Sequence, residues 1–522
     1  MKRMALMLAV VTVAACAVNP VTGERNLQFY GSDWEKDVGA QMYAPMKQSQ
    51  GGEFILDPVL TEYIQGVGQR LANNARRGDE LEFEFSIINS SIPNAWALPG
   101  GKIVINRGLL VELDSEAELA AVLGHEIVHA DAAHGARAQS KGVLTQVGTV
   151  AGMIVVGTTV DSSAGRELGM MVPQLGAQML TQKYGRDAER EADEYGMRYM
   201  AEAGYDPEGA VELQQTFVRL SEGRRQDWLS GLFASHPPSE ERVENNRETA
   251  LQLAEEGYTR GETGAETWAE KTAYLRRVQP AYEHYDKASE AASEKDWSSA
   301  QKHLDAAFAI EPRESLFHAL QGDIYAARDQ YGDALKSYEE AVAANRGLFY
   351  GYLRRGRAHL ELSENQLARK DLEHSLTLLP TAQAHYLLGK LDMAEDRRVA
   401  AMKHFRQAAQ SGTETGLKAE REILALDLPQ RASSYVAAQV VSNAQGELWI
   451  QVGNQTRSNL HGIEYRYAWI DNSGQTRQGS GRIDGVLEGG QWAQAKLDGR
   501  INDPANVSRR AQAEIVSAEL AD

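Results

Sequence analysis

The 522-residue sequence predicts a multidomain chain. A mainly α-helical domain with a small β-sheet comes first, then an α-solenoid of repeated helix pairs, then a C-terminal all-β, sandwich-like domain. Three observations predict this. A capped, strongly apolar helix begins near Ser115, helix-pair signatures recur about every 34 residues between positions 281 and 414, and a period-two alternation replaces the helical period from about Ser433. Hydrophobic residues make up 43% and charged residues 24%, which excludes wholesale disorder and a multi-span membrane protein. The formal net charge of −19 argues against a nucleic-acid partner, since binding would begin with repulsion from the phosphates. Cys16 is the single cysteine, so no intramolecular disulfide can form.

Residues 1–15 read as a signal peptide. Lys2 and Arg3 precede an apolar run, residues 4–13, that is too short to span a bilayer. The run ends in Val13-Ala14-Ala15-Cys16, which resembles the lipobox of bacterial lipoproteins, with Val13 where Leu is more usual. That resemblance implies cleavage before Cys16, lipidation of Cys16 and a lipidated tether over residues 16–29. Ala17 follows the cysteine, with no Asp there to retain the chain at the inner membrane. The expected location is therefore the periplasm, lipid-anchored to the outer membrane.

Residues 30–275 form the first domain. Asp57-Pro58 opens a helix, residues 82–88 alternate as a strand, and residues 102–106 are a second strand. Ser115-Glu116-Ala117-Glu118 is a capping box that starts an apolar helix running past His129. Residues 143–160 are uncharged and of marginal spanning length, and we read them as a helix buried against the protein rather than a membrane span.

The chemistry concentrates in that apolar helix. Only four of the twelve histidines precede residue 280, and three fall within ten positions: His125, His129 and His134. His125-Glu126-Ile127-Val128-His129 is an H-E-x-x-H motif, so at ~100° per residue both histidines face one metal ion. Glu126 reaches a metal-bound water without ligating. His134 has the wrong spacing for a further ligand and reads as structural or surface. A third ligand is sought in Glu189 and Asp193, four apart on one helical face. One of them can ligate while the other holds a ligand imidazole. Glu191, ~160° around that helix from Glu189, should face away.

The pairing of H-E-x-x-H with Glu189-x-x-x-Asp193 resembles the CAAX-prenyl-protease-like (HtpX-like) gluzincin family of zinc metallopeptidases. The helical repeats and periplasmic address make the chain similar to the BepA type within that family. Three further stretches carry the resemblance: Asn19-Pro20-Val21-Thr22-Gly23, Asn94-Ala95-Trp96-Ala97-Leu98-Pro99-Gly100-Gly101, and Ser235-His236-Pro237-Pro238-Ser239-Glu240-Glu241-Arg242. Gly185, where many members have Ser, departs from it and leaves the capping of the Glu189 helix open. The resemblance implies a metalloprotease domain of zincin type that holds one zinc ion through His125, His129 and Glu189. Asp193 would stand behind the ligands and Glu126 would be the general base. His236 and Arg242 are expected to stabilise the oxyanion, and His236 is also able to ligate zinc and hold the enzyme off. Asn94, Ala95, Trp96 and Ala97 are expected to present a strand edge to an extended substrate, with Trp96 equally readable as core.

Residues 276–430 form the repeat domain. Ala300, Ala334, Ala368 and Ala401 are spaced 34, 34 and 33 apart. Leu304, Tyr338, Leu372 and Phe405 follow each by four, and Ala307, Ala341, Ser375 and Ala408 follow three later. Gly322, Gly356 and Gly389 mark the first helix of the later units. The pattern resembles tetratricopeptide repeats. Residues 431–522 alternate near 436–441, 447–452, 463–470, 491–496 and 512–516, with Asn472-Ser473-Gly474 as a turn, and predict a small β-sandwich. The expected function is zinc-dependent cleavage of unfolded or misassembled outer-membrane proteins, with the repeats recruiting substrates or the outer-membrane assembly machinery. The rival is a chaperone-like scaffold with a latent zinc site.

Overall fold

The computed structural model of the chain describes residues 16–149, 184–223, 236–258 and 261–521. The expected signal peptide and residues 150–160 of the apolar run lie outside the described residues. Among those described, no helix is long and apolar enough to cross a membrane.

The segment expected as a tether is folded. β1 (Cys16–Val18) and β2 (Arg25–Leu27) pair antiparallel, and Val21 between them is buried in the main core. Helix α1 (Ser32–Ser49) follows, then α2 (Pro58–Ala72), whose Asp57 cap accepts from the Leu60 amide at 3.1 Å. β3 (Glu84–Ile88), β4 (Ala95–Leu98) and β5 (Lys102–Asn106) form one sheet in the order β3-β5-β4. β3 runs parallel to β5 and β4 antiparallel to it, which leaves β4 at an edge.

Helix α3 (Glu116–Asp131) is buried on nearly every face, as its run of Leu119, Ala120, Leu123, Ile127 and Val128 requires. Ser115 Oγ accepts from the Glu118 amide at 3.1 Å. The Glu118 carboxylate reaches back to the amide of Asp114, one residue earlier than an ordinary capping box. Helix α4 (His134–Thr149) takes up the start of the apolar run, and α5 (Arg186–Glu202), α6 (Glu208–Gly223) and α7 (Glu240–Glu255) follow. Gly185 caps α5 without a side chain: its carbonyl accepts from the amides of Ala188 and Glu189.

The repeats are helix pairs. They are α8 (Ala273–Ser293) with α9 (Trp297–Ile310), α10 (Ser315–Ala326) with α11 (Tyr331–Ala344), α12 (Phe349–Glu361) with α13 (Asn365–Leu378), and α14 (Ala382–Ala394) with α15 (Arg398–Ala408). Helix α16 (Glu414–Arg431) follows. The repeated glycines each face a large residue sixteen positions on. A Cβ on Gly322 would stand 2.4 Å from the Tyr338 ring, on Gly356 2.9 Å from Leu372, and on Gly389 2.5 Å from Phe405. The spacing in the sequence is therefore a packing rule, with a small residue making room for a large one.

Compactness divides the chain within the repeats: one unit holds the described residues up to Pro380, the other those from Thr381. This is a different cut from the boundaries expected at 275/276 and 430/431. In the first unit the early repeats sit directly on the sheet domain. The Arg107 guanidinium lies 3.4 Å from the Tyr282 ring centroid and donates through Nε to Asn89 at 3.0 Å. Asn89 in turn donates to Glu314, as does the Tyr282 hydroxyl.

In the second unit β6 (Val436–Ser442), β7 (Glu447–Asn454) and β10 (Trp492–Arg500) make one antiparallel sheet. β8 (Leu460–Ile470), β9 (Thr476–Ile483) and β11 (Ala511–Leu520) make another. They share one core, including Leu448, Ile450, Ile463, Leu497 and Ile515. β9 is missing from the sequence expectation because its residues, rich in Gly, Arg and Gln, are mostly exposed and show no apolar alternation.

Candidate metal centre

Two glycines set the geometry. Gly124 on α3 and Gly196 on α5 let the helices touch backbone to backbone: a Cβ on Gly124 would lie 2.9 Å from the Gly196 carbonyl oxygen. On Gly196 it would lie 2.9 Å from the His125 amide nitrogen. That crossing brings Glu189 and Asp193, on successive turns of α5, against the histidines of α3.

The Nε2 atoms of His125 and His129 are 3.0 Å apart. Glu189 approaches them at 3.7 Å and 3.6 Å respectively. His236, just before α7, puts Nδ1 3.2 Å from His125 Nε2 and 3.0 Å from each Glu189 oxygen. The donor atoms of these four buried residues all lie within 4.8 Å of one another.

The remaining ring nitrogens show what this set fits. His125 Nδ1 is 2.9 Å from Asp193, and His129 Nδ1 is 2.7 Å from His134 Nδ1. With Nδ1 as the donor in each contact, both Nε2 lone pairs point into one small space, an arrangement that a cation relieves. Burial and the neighbouring histidines hold His129 well below the usual imidazole range, so it stays in the neutral form that ligates. Two imidazoles, a carboxylate and a further imidazole suit one zinc ion.

The supporting residues fall into place behind them. Arg242 donates to Asp193 through Nε at 2.8 Å and Nη2 at 2.7 Å. Burial opposes ionisation of Asp193, but Arg242 and His125 outweigh it and hold the carboxyl well below the usual range. The Arg242 fork is thereby committed, and its Nη1 lies 3.4 Å from both the Pro237 carbonyl and Glu189. Arg242, expected at the oxyanion, is thus seen paired with Asp193 behind His125. Glu126 is buried, with its carboxylate 3.7 Å from His236 Nε2. Burial pushes its carboxyl up, against the pull of His236 and His125. Beside it lies an apolar recess lined by Val122, Met197, Leu213 and Phe217.

The strand-edge residues divide. Trp96 packs among Val38, Met42, Met46 and Val104, with Nε1 donating to Gln50 at 3.3 Å, so of its two readings the core is the one seen. The Asn94 carbonyl accepts from the Asn106 amide at 2.8 Å, which turns the backbone groups of Ala95 and Ala97 away from β5, toward the open edge.

Three further residues support the site. Tyr184 stacks on His129 with ring centroids 4.2 Å apart. His134, read as structural or surface, is buried against His129, so the structural reading is the one seen. Glu191 does face away from Glu189, yet it lies 3.4 Å from His134 Nε2 and accepts from Asn19 at 2.6 Å. The two near-adjacent acids of α5 thus serve the same site from opposite sides.

Residues 58–250 match the family model of peptidase family M48. This segment is similar to the M48 peptidases. The chain that carries it is 32% identical over 225 residues to the beta-barrel assembly-enhancing protease of Yersinia pestis, covering 42% of this chain and 45% of that one. It is 27% identical over 325 residues to the protein of the same name from Escherichia coli K12, covering 55% and 62%. A solved tetratricopeptide-repeat protein from Thermus thermophilus aligns at 19% identity, over 33% of this chain and 95% of its own, with a TM-score of 0.26. The chain thus spans about half the length of the curated relatives it matches. The matched residues include His125, Glu126, His129 and Glu189, with His236 and Arg242 near their end.

Proposed function

We propose that the chain is a zinc metalloendopeptidase of the bacterial cell envelope that cleaves unfolded or misassembled outer-membrane proteins, with the repeats recruiting substrates or their assembly machinery. The observation that carries this is the convergence of His125, His129 and Glu189 around one point with buried Glu126 beside them, inside the segment that matches peptidase family M48. The names of the relatives support the envelope setting, and the lipobox-like segment at Cys16 supports attachment to the outer membrane from the periplasm.

His125, His129 and Glu189 would hold one zinc ion, which would supply Lewis acidity and lower the pKa of a water toward ~7. Glu126 takes a proton from the attacking water and returns it to the leaving amine. Asp193 holds the His125 ring through Nδ1, and Arg242 holds Asp193. An unfolded chain adds to the sheet along β4 through the outward N–H and C=O groups of Ala95 and Ala97, which selects for extended substrates rather than for a side-chain sequence. His236, a fourth donor in the cluster, keeps the resting site closed. That placement of His236 also favours a second reading, a chaperone-like scaffold with a latent zinc site.

The test uses soluble protein starting after Cys16, given a β-barrel protein either unfolded or folded, with and without a zinc chelator. The proposal expects cleavage of the unfolded form alone, abolished by chelation and restored by added zinc. Cleavage indifferent to chelation would end it. Function in cells that depends on the repeats but survives Glu126→Gln would favour the scaffold.

A further inference from the structure

The turn between β1 and β2 is built around Asn19. Its amide donates to the Glu24 carbonyl at 2.7 Å, its carbonyl accepts from Gly23 at 2.9 Å, and its Oδ1 accepts from the Val21 amide at 2.9 Å. Those bonds complete the turn and leave Nδ2 unused by it. Nδ2 instead leaves the hairpin and donates to Glu191 on α5 at 2.6 Å, across 172 positions of sequence. Asn19 is only 3% exposed. The hairpin is seated on α4, where the Phe29 amide donates to Ser140 Oγ at 2.9 Å, and Val21 enters the core.

From Glu191 the contacts lead to the metal centre. One Glu191 oxygen lies 3.4 Å from His134 Nε2, and both accept from Arg137 Nη2 at 3.3 Å. His134 Nδ1 lies 2.7 Å from His129 Nδ1. The approach of Glu191 to His134 Nε2 lies at ion-pair distance without hydrogen-bond geometry, so that link is electrostatic. The Glu191 carboxylate beside Nε2 favours the His134 tautomer that carries its proton there. Its Nδ1 then accepts from His129 Nδ1–H, and His129 Nε2 is left with a bare lone pair facing His125 and Glu189. If His134 took the other tautomer, two N–H groups would meet 2.7 Å apart, and His129 would have to move its proton to the ligating nitrogen.

We propose that Asn19 is a positioning residue for the metal ligand His129, acting through Glu191 and His134. The segment immediately after Cys16 is thus part of the support of the metal centre. This rests on the zinc-site reading above. An aspartate would serve the turn equally well as acceptor. Only an amide both completes the turn and donates to Glu191, which is the chemical reason for Asn at this position.

The experiment measures zinc affinity of the purified full chain by competition with a chromophoric chelator, the d–d absorption of the cobalt-substituted chain, and the unfolding temperature of the metal-free chain. Wild type is compared with Asn19→Asp, which keeps the turn acceptor but sets a carboxylate against Glu191, and with Val21→Ala, which loosens the hairpin without touching the relay. The expected result is zinc affinity about tenfold weaker in Asn19→Asp with an altered cobalt spectrum. Val21→Ala should lower the unfolding temperature and leave zinc affinity within about twofold. Unchanged zinc affinity in Asn19→Asp, or an equal loss in Val21→Ala, overturns the relay while leaving the zinc site intact. A wild-type chain that binds no zinc overturns both.

Discussion

His236 Nδ1 lies 3.0 Å from both carboxylate oxygens of Glu189, inside the donor cluster rather than at its rim. A residue poised for catalysis from outside would not share Glu189 so evenly. The expected outcome for His236→Ala is weaker zinc binding together with a higher turnover per bound zinc on an unfolded substrate. Turnover lowered under every condition, after correction for zinc content, would contradict gating by His236.

Ala97 offers its N–H to the open edge of the sheet, whereas Trp96 bonds inward to β5. Ala97→Pro therefore removes a donor that the pairing with β5 does not use. Cleavage of an unfolded protein should fall at least about tenfold, with zinc content kept and the unfolding temperature changed little. Normal cleavage by a folded Ala97→Pro variant would place substrate elsewhere.

Arg242 and Asp193 form a buried two-pronged pair. Replacing Arg242 with Ala leaves the Asp193 carboxylate uncompensated, and a loss of about 3–5 kcal/mol of stability is expected from denaturant unfolding. Arg242→Lys should fold but bind zinc more weakly, with kcat per bound zinc unchanged. A fall in kcat per zinc with normal affinity would support the oxyanion role of Arg242.

Glu118 supplies a pH dependence away from the metal. Burial pushes its carboxyl up to about 7, with Asp114 and Glu212 adding to the shift and the Asp114 and Ser115 contacts opposing it. The folded pKa exceeds the unfolded one, so protonation favours the fold: that contribution is full below about 4.5 and is lost as pH rises through about 7. Glu118→Gln should thus stabilise the chain more at pH 8 than at pH 5, by at most about 3 kcal/mol. Equal effects at both pH values would contradict the shift.

What the sequence displays and what it hides follow from range. His125, Glu126 and His129 are legible because one helix turn sets their relation, and the repeats are legible because Gly322–Tyr338 packing recurs as Gly356–Leu372 and Gly389–Phe405. Glu189 and Asp193 are legible as a shared face, but their approach to α3 depends on Gly124 meeting Gly196, which no local pattern announces. Asn19 and Glu191 are 172 positions apart, and helical facing alone turned Glu191 away from Glu189 without saying what stands on its other side. The pairing of Arg242 with Asp193 is hidden for the same reason: a motif shows which residue is present, while its partner is a matter of tertiary geometry. β9 was hidden because exposed strands need no apolar alternation.

The most direct test pairs two readings on one variant, the zinc content and the turnover of Glu126→Gln on an unfolded β-barrel protein. The expected result is one zinc equivalent, as in wild type, with turnover reduced at least about 100-fold, since the metal ligands remain and only the proton carrier is gone. Turnover near the wild-type level with zinc retained would contradict Glu126 as the general base, and with it the assignment of this centre as the peptidase site.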